Sequence, residues 1–585
     1  MKTFSLKPIT AVLALALAGP AFAVDLDFSG SNIYMKFLDG DHRVESGGSI
    51  DTASGSDQGQ FTELELRITA RVARGVEAGA RVQSRSSGSY WTEFGGFADE
   101  NTPIKAKNMK LRGAYISLTP GYKWLNQALL GSSDWGMFDP FTFGKLRYID
   151  RDNFSGVYFK GPLGLDSSSY ELAWIALAQY LGPNFNTTDS ENGLQKNDGT
   201  VIAQFKVPVA GVRLAASAQH TEDRERSVDD ATPYDGTETR TRFRNEVFSL
   251  RAEGSPVDGL DLRGAGYYSD YTVNTDVQNW SNLLGDDYDD TAWLATVDWS
   301  QTPLPGFGAQ LQVFDIGAGY VSAVGARRES DVLLTDGNES AWYGWGDPKY
   351  IGGLANDLLQ VPVTIRDNDF ADFDETGAES AIGWKGATGV LKYEVVNTPM
   401  SFEYTRLDYN QSWQDWDGEQ EVFDVISWAG ATGPGFKEDT DRQTDIFVFK
   451  VSHVFPIAGG LDTSFKWKRV DDEDNGCLRV CGDNAPDADD RNTVDNGYAL
   501  SVGNQLFGDL YGSASYGKYT RNIDLGPASF DNDKDIWSLR LAYNLTGFEL
   551  GTLAQWIDGK GDPAQSGTEV DVEQYRLKAF AKVIF

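Results

Sequence analysis

Two cysteines in 585 residues are too few to staple a chain of this length, so its core does not depend on disulfides. Histidine is nearly as scarce, with only His42, His220 and His453. No G-x-S-x-G, P-loop or metal-ligand spacing accompanies them, which leaves nucleophilic, acid–base and metal-assisted chemistry without an assembled set of residues. The nearest approach is "QHTED", where His220 stands beside Glu222 and Asp223 with no positioned serine. Catalysis is therefore not expected, and neither a metal nor a cofactor is called for. Positive charge is also lacking: a formal net charge of −35 argues against nucleic acid as a partner. After residue 23 no stretch comes near twenty consecutive apolar residues, which excludes a transmembrane helix there. Helical periodicity is nowhere sustained over several turns.

The first 23 residues, "MKTFSLKPITAVLALALAGPAFA", have Lys2 and Lys7, an apolar run from Ile9 to Ala18, and a small-residue site at Ala21-Phe22-Ala23. They read as a cleaved secretory signal peptide, with Val24 as the first mature residue. Cys477 and Cys481 lie in the acidic stretch "DDEDNGCLRVCGDN". A local loop-tip disulfide suits them better than a metal site, because no histidine is near.

Glycine and aromatic residues are plentiful, with 63 Gly, 16 Trp and 12% aromatics. No Pro/Ser-rich linker or shift of composition divides residues 24–585, so they read as one all-β unit with glycine-marked turns. The clearest hairpin is "FTELELRITARVARGVEAGARVQSRSS". Leu64, Leu66, Ile68, Ala70 and Val72 share one face of its first strand, while Glu63, Glu65, Arg67, Thr69 and Arg71 share the other. The alternation returns in "KNMKLRGAYISL", "LDLRGAGYYSDY", "TDIFVFKVSHVF", "LDTSFKWKRV", "DIWSLRLAYNL" and similar segments. Connections alternate between short turns ("VPVAG", "GSPVDG", "NTPM") and long acidic loops ("TEDRERSVDDATPYDGTETR"). Short turns at one end and long loops at the other are the asymmetry of a transmembrane β-barrel. The pattern gives about 22 strands, within a range of roughly 18 to 24, and an even number. Residues 318–379 form either one long loop, acting as a constriction or cap, or a hidden strand pair. The stretch from Glu379 to Asn397 is one long strand or two short ones.

The chain ends in "EQYRLKAFAKVIF", with Tyr575, Leu577, Ala579, Ala581, Val583 and Phe585 alternating with Gln574, Arg576, Lys578, Phe580, Lys582 and Ile584. Together with the signal peptide and the amphipathic strands, this ending resembles the Gram-negative outer-membrane β-barrel porins. The resemblance implies a single antiparallel barrel in the cell outer membrane. Its terminal strand would close against "VDLDFSGSNIYMKF" and, through Tyr575 and Phe585, be read by the barrel-assembly machinery. It also implies contact with outer-membrane lipid and lipopolysaccharide, and it is compatible with an oligomer. No separate plug sequence precedes the first strands, which counts against a TonB-dependent receptor.

Pairing Val72 with Val76 across the first hairpin sets Arg71 opposite Glu77, Arg67 opposite Arg81, and Glu63 opposite Arg85. Lys110 and Arg112 of the next strand fall on the same face. These six cations, Arg67, Arg71, Arg81, Arg85, Lys110 and Arg112, form a basic lumen wall that attracts anions, or a structural lattice in which Glu65 neutralises the like-charged pair. Strand segments hold roughly 29 Lys/Arg against about 20 Asp/Glu, which moves most negative charge into the connections. The acidic loops are then a solvated outer surface, or bridge divalent cations to lipopolysaccharide. Trp91, Trp342, Trp345, Trp413 and Trp416 sit in polar loops beside carboxylates and amides, where they contact a sugar or pack on their own loop tips. The basic lumen is similar to that of alginate-export and other anion-handling channels. The function expected is passive diffusion of small hydrophilic solutes, favouring anions or saccharides. Export of an acidic polysaccharide is one alternative and a structural or adhesive barrel with a blocked pore is another.

Overall fold

The computed structural model describes residues 25–27, 32–54, 59–87, 92–93, 96–97, 109–133, 135–143, 154–165, 167–176, 199–226, 239–273, 288–300, 302–317, 319–322, 324–325, 332–336, 381, 383–410, 442–457, 459–474, 491–525, 528–562 and 567–584. Period-two patterning becomes strand throughout. In Ala528–Leu545, Asn532, Lys534, Ile536, Ser538 and Ala542 are buried, while Trp537, Leu539, Leu541 and Tyr543 are exposed. Trp537 is 57% exposed and Leu539 47%, yet their neighbour Ile536 is 0% exposed. The same inversion recurs around the sheet. Trp174, Phe205, Leu250, Trp293, Leu311, Phe402 and Trp556 are exposed, whereas Thr200, Gln204, Gln219, Ser269, Thr388 and Gln555 are buried. A water-soluble sheet places its large apolar side chains the other way round.

Twenty-four of the described strands form one antiparallel sheet, and Thr92–Glu93 pairs with Gly96–Phe97 in a separate two-stranded one. Asp25–Asp27 and Asn32–Ser46 together run against Ser49–Ser54 and Gly59–Ala73, so each short piece extends a longer strand. That leaves 22 ring positions, in agreement with the count made from the alternation. The last strand, Val570–Ile584, pairs with Phe548–Gly561 on one side and with Asn32–Ser46 on the other, in a register running from Asn32 opposite Ile584 to Ser46 opposite Val570. Every strand of the ring then has two neighbours, and no edge is left with unpaired N–H and C=O groups. Tyr575, Leu577, Ala579, Ala581 and Val583 share the outward register. Phe585 lies outside the described residues.

Two segments identify the inside. Residues 135–143 follow the strand Gln127–Ser133, and residues 319–322, 324–325 and 332–336 follow the strand Phe307–Ile316. Both turn back onto the polar face of the wall. Trp135, Phe138 and Phe143 pack with Tyr158, Ile175, Ile202 and Val324. Phe141 and Tyr320 join Tyr267, Phe314, Trp384, Leu407 and Ile446. The two segments also bond each other, since Tyr320 Oη donates to the Phe141 carbonyl at 3.1 Å. Apolar packing is therefore internal and local, enclosed by a ring whose inner residues are mostly polar.

One end of the ring is closed by two-residue turns, at Ala210-Gly211 (φ 51° and 86°) and at Val396-Asn397 (φ 49° and 59°). Positive φ at both central residues is the turn that suits the twist of a two-stranded hairpin. At the other end the described strands stop at residues 177–198, 227–238, 274–287, 411–441 and 475–490, which lie outside the described residues. In the first hairpin the turn is Arg74-Gly75, and Ala73, not Val72, stands opposite Val76. A register shift between Arg71 and Ala73 absorbs the extra residue, and the three pairs at Arg71, Arg67 and Glu63 stand as expected. Trp384–Val395 is one strand, which resolves the ambiguity before Asn397. Within 318–379, the described residues hold no strand.

A lysine at Leu539 would put a charge on the apolar face, at a cost of about 2 to 4 kcal/mol if it sits at the middle of a bilayer. The same lysine at Ser538, on the inner face, should cost much less. Urea unfolding of the two variants from lipid vesicles measures the difference, and equal losses would contradict the assignment of faces.

Candidate functional site: the inner wall and the segments held against it

Strands Arg442–Phe455 and Leu461–Asp474 are adjacent, and their register sets Lys450 directly opposite Lys466, with Lys468 opposite Val448. Lys450, Lys466 and Lys468 alternate with Phe449, Phe465 and Trp467, so the lysines share the inner face. Like charges facing each other across a ladder are destabilising without a counter-charge. Asp336, at the end of the inward-turned segment, supplies it. Its Oδ1 lies 3.3 Å from Lys450 Nζ and its Oδ2 2.8 Å from Lys466 Nζ. Lys468, only 2% exposed, donates to the Asp336 carbonyl at 3.1 Å.

Backbone contacts fix this segment in place. The Asp336 N–H donates to Glu403 Oε1 at 2.6 Å, and the Leu334 N–H donates to Gln312 Oε1 at 2.8 Å. Glu403 also accepts from Thr405 Oγ1, which in turn reaches Thr388 Oγ1 at 3.0 Å. Burial by itself would raise the Asp336 carboxyl. The ammonium groups of Lys468, Lys466 and Lys450 outweigh burial and hold it well below the ordinary carboxylate range.

A second polar cluster anchors residues 135–143. Arg251 Nη1 donates to Asp139 Oδ2 at 2.9 Å, and Tyr267 Oη reaches the same oxygen at 3.2 Å. Arg251 also donates to Gln204, whose amide nitrogen bonds Glu171 at 2.6 Å. Lys160 and Lys206 complete the shell around the buried Glu171, at 3.2 Å and 3.0 Å. Farther round the ring, Arg521 and Asp495 form a buried two-point pair with both contacts at 2.6 Å. Tyr320, buried between the two segments near Asp139, has its hydroxyl pushed far above its usual range, chiefly by burial.

Toward the short-turn end the wall opens into a cavity of about 890 Å³. Ser401, Ser452, Ser464, Ser501, Ser513 and Ser515 contribute hydroxyl-bearing residues to its lining. Lys392, Lys450, Lys466 and Arg540 line it together with Asp298, Glu394 and Asp462. Such a surface offers hydrogen bonds and positive charge to a hydrophilic solute.

Tracing the register round the wall from Tyr158 puts the positions of Arg67, Arg71, Arg81, Arg85 and Lys110 on the inner face. Arg67 stands opposite Arg81. Arg112 is different: the ladder skips it between Leu111 and Gly113, so it occupies a bulge and not a regular place in the row. Trp91, Trp342, Trp345, Trp413, Trp416, Cys477 and Cys481 lie outside the described residues. His220 faces outward and approaches Glu246 at 3.3 Å.

The lysine cluster is the part that reading the sequence missed. "FVFKVSHVF" and "TSFKWKRV" do show lysines alternating with aromatics, but pairing Lys450 with Lys466 requires the register, and Asp336 is more than a hundred residues away. No family model and no curated protein matches the sequence. Among solved structures the chain is similar to the P pilus usher (PapC) translocation pore, at 10% identity, TM-score 0.36, covering 95% of this chain and 100% of that one. It is also similar to Pseudomonas aeruginosa OpdO, at 10% identity, TM-score 0.32, covering 95% and 98%, and to Acinetobacter baumannii OccAB3, at 9% identity, TM-score 0.28, covering 95% and 99%. At these scores the likenesses carry no argument, and the fold rests on the pairing ring itself.

The depressed Asp336 carboxyl has a pH signature. Its contribution to stability is full above the ordinary aspartate value, about 3.9, and is lost as pH falls toward the lower folded value. The gap in unfolding free energy between the protein and Asp336→Asn should therefore be constant from pH 7 to about 4 and shrink below that. Urea titrations across this range measure it; a gap that opens on acidification would refute the assignment.

Proposed function

We propose that the protein is an outer-membrane channel for passive diffusion of small hydrophilic solutes, with a preference for anionic or saccharide solutes. The observation that carries this reading is the inversion of faces: an apolar outer band encloses a polar interior with a serine- and lysine-lined cavity. A bilayer accepts an apolar exterior on a closed ring because no backbone group is left unpaired in hydrocarbon. The inner-face positions of Arg67, Arg71, Arg81, Arg85 and Lys110 support a lumen that attracts anions. The signal-peptide pattern of residues 1–23 supports export, with Val570–Ile584 as the strand engaged by the assembly machinery. In this reading residues 135–143, 319–322 and 332–336 narrow the passage.

A blocked, structural barrel is the second reading. It is favoured by the inner residues beside those segments, such as Thr200, Gln204 and Asn245, which are fully buried. Single-channel recording from the refolded protein in a planar bilayer under a salt gradient separates the two. Steady conductance with an anion-selective reversal potential is expected, weakened by combining Arg67→Glu with Arg81→Glu. Loosening the inward segment with Arg251→Ala should raise conductance. No current from a correctly folded barrel would leave the structural reading.

A further inference from the structure

We propose that Asp336 is a tethered competitor for the Lys450–Lys466–Lys468 cluster, so that an anionic solute entering the interior binds there by displacing it. The proposal rests on the channel reading above and assigns a specificity-determining residue within it. Three ammonium groups converge on one carboxylate, while the neighbouring acid, Glu403, is engaged by the Asp336 N–H and by Thr405. Lys450 and Lys466 have a double role. They line the cavity of about 890 Å³, while their ammonium groups turn to Asp336, which is not part of the lining. The cluster thus stands at the boundary between the open space and the segment, within reach of a solute from one side and of Asp336 from the other.

The chemistry is a plain exchange of ion pairs. A solute carboxylate or phosphate offers the same oxygen acceptors as Asp336, and no bond other than hydrogen bonds has to break. Because Asp336 is attached to the wall by Leu334 and by its own N–H, it competes as an intramolecular ligand. With its backbone held by these contacts, the carboxylate meets the lysines at an effective concentration of at least millimolar order, the value for a short flexible tether. Solutes present well below that concentration would leave the segment in place, and more concentrated or multiply charged ones would take the lysines. Uncharged sugars have no means of doing so.

Calorimetric titration of the refolded, detergent-held barrel with sodium glucuronate at low salt tests the exchange. Asp336→Asn should bind glucuronate about tenfold more tightly than the unaltered protein, since the competitor is gone. Adding Lys466→Gln should abolish the gain. Equal or weaker binding by Asp336→Asn, or a gain that survives Lys466→Gln, would overturn the proposal.

Should Asp336→Asn not refold, hydrogen exchange on the unaltered protein gives the same decision. Glucuronate, and not glucose, should speed exchange in residues 332–336, whereas unchanged exchange at saturating glucuronate would overturn the idea. Repeating either measurement with inorganic phosphate separates carboxylate preference from general anion binding. The titration does not need conduction. A barrel that shows the exchange but passes no current removes the channel reading alone, and a conducting barrel with unchanged affinity in Asp336→Asn removes the competitor alone.

Discussion

Closure of the hydrogen-bonded ring is the constraint on which everything else depends. A sheet with tryptophans and leucines on its outer face must hide its backbone from an apolar surrounding, and a sheet of 22 positions can do so only by pairing its last strand with its first. Once Val570–Ile584 meets Asn32–Ser46, the polar face has nowhere to point but inward. The polar groups there then bond mostly with one another. Ser217 with Ser249, Thr388 with Thr405 and Gln312 with Thr296 are cross-strand pairs on that face.

A ring this wide would leave most of its interior to water if nothing entered it. The two inward segments change that, and each uses a carboxylate as its anchor. Asp139 meets Arg251, and Asp336 meets three lysines. The wall carries an excess of cations at these places, and the segments carry the matching anions. Electrostatics therefore selects where the segments sit, while Trp135, Phe138, Phe141 and Tyr320 supply the packing that makes their positions persist. The outer face combines broad apolar exposure with ion pairs such as Arg406–Asp445 and Lys518–Asp535.

The barrel was legible in the residues because period two is a local property. Each strand declares its faces within eight or ten positions, and the turn residues declare where the chain reverses. The inner-face register of Arg67 and Arg81 followed from the same logic, since one short turn links their strands. Arg112 did not, because a bulge changes the phase without any mark in the composition. The lysine cluster with Asp336 was hidden for another reason. Its members come from two strands and a distant connection, and only the folded ring brings position 336 beside positions 450, 466 and 468.

The sequence by itself determined that this chain is all-β, with alternating faces along its strands and about 22 of them. Those features depend on neighbours two residues apart or joined by short turns. Tertiary structure alone decided which connections turn inward, which cations they neutralise and where the interior stays open. Such outcomes depend on contacts between residues more than a hundred positions apart, and no local periodicity records them.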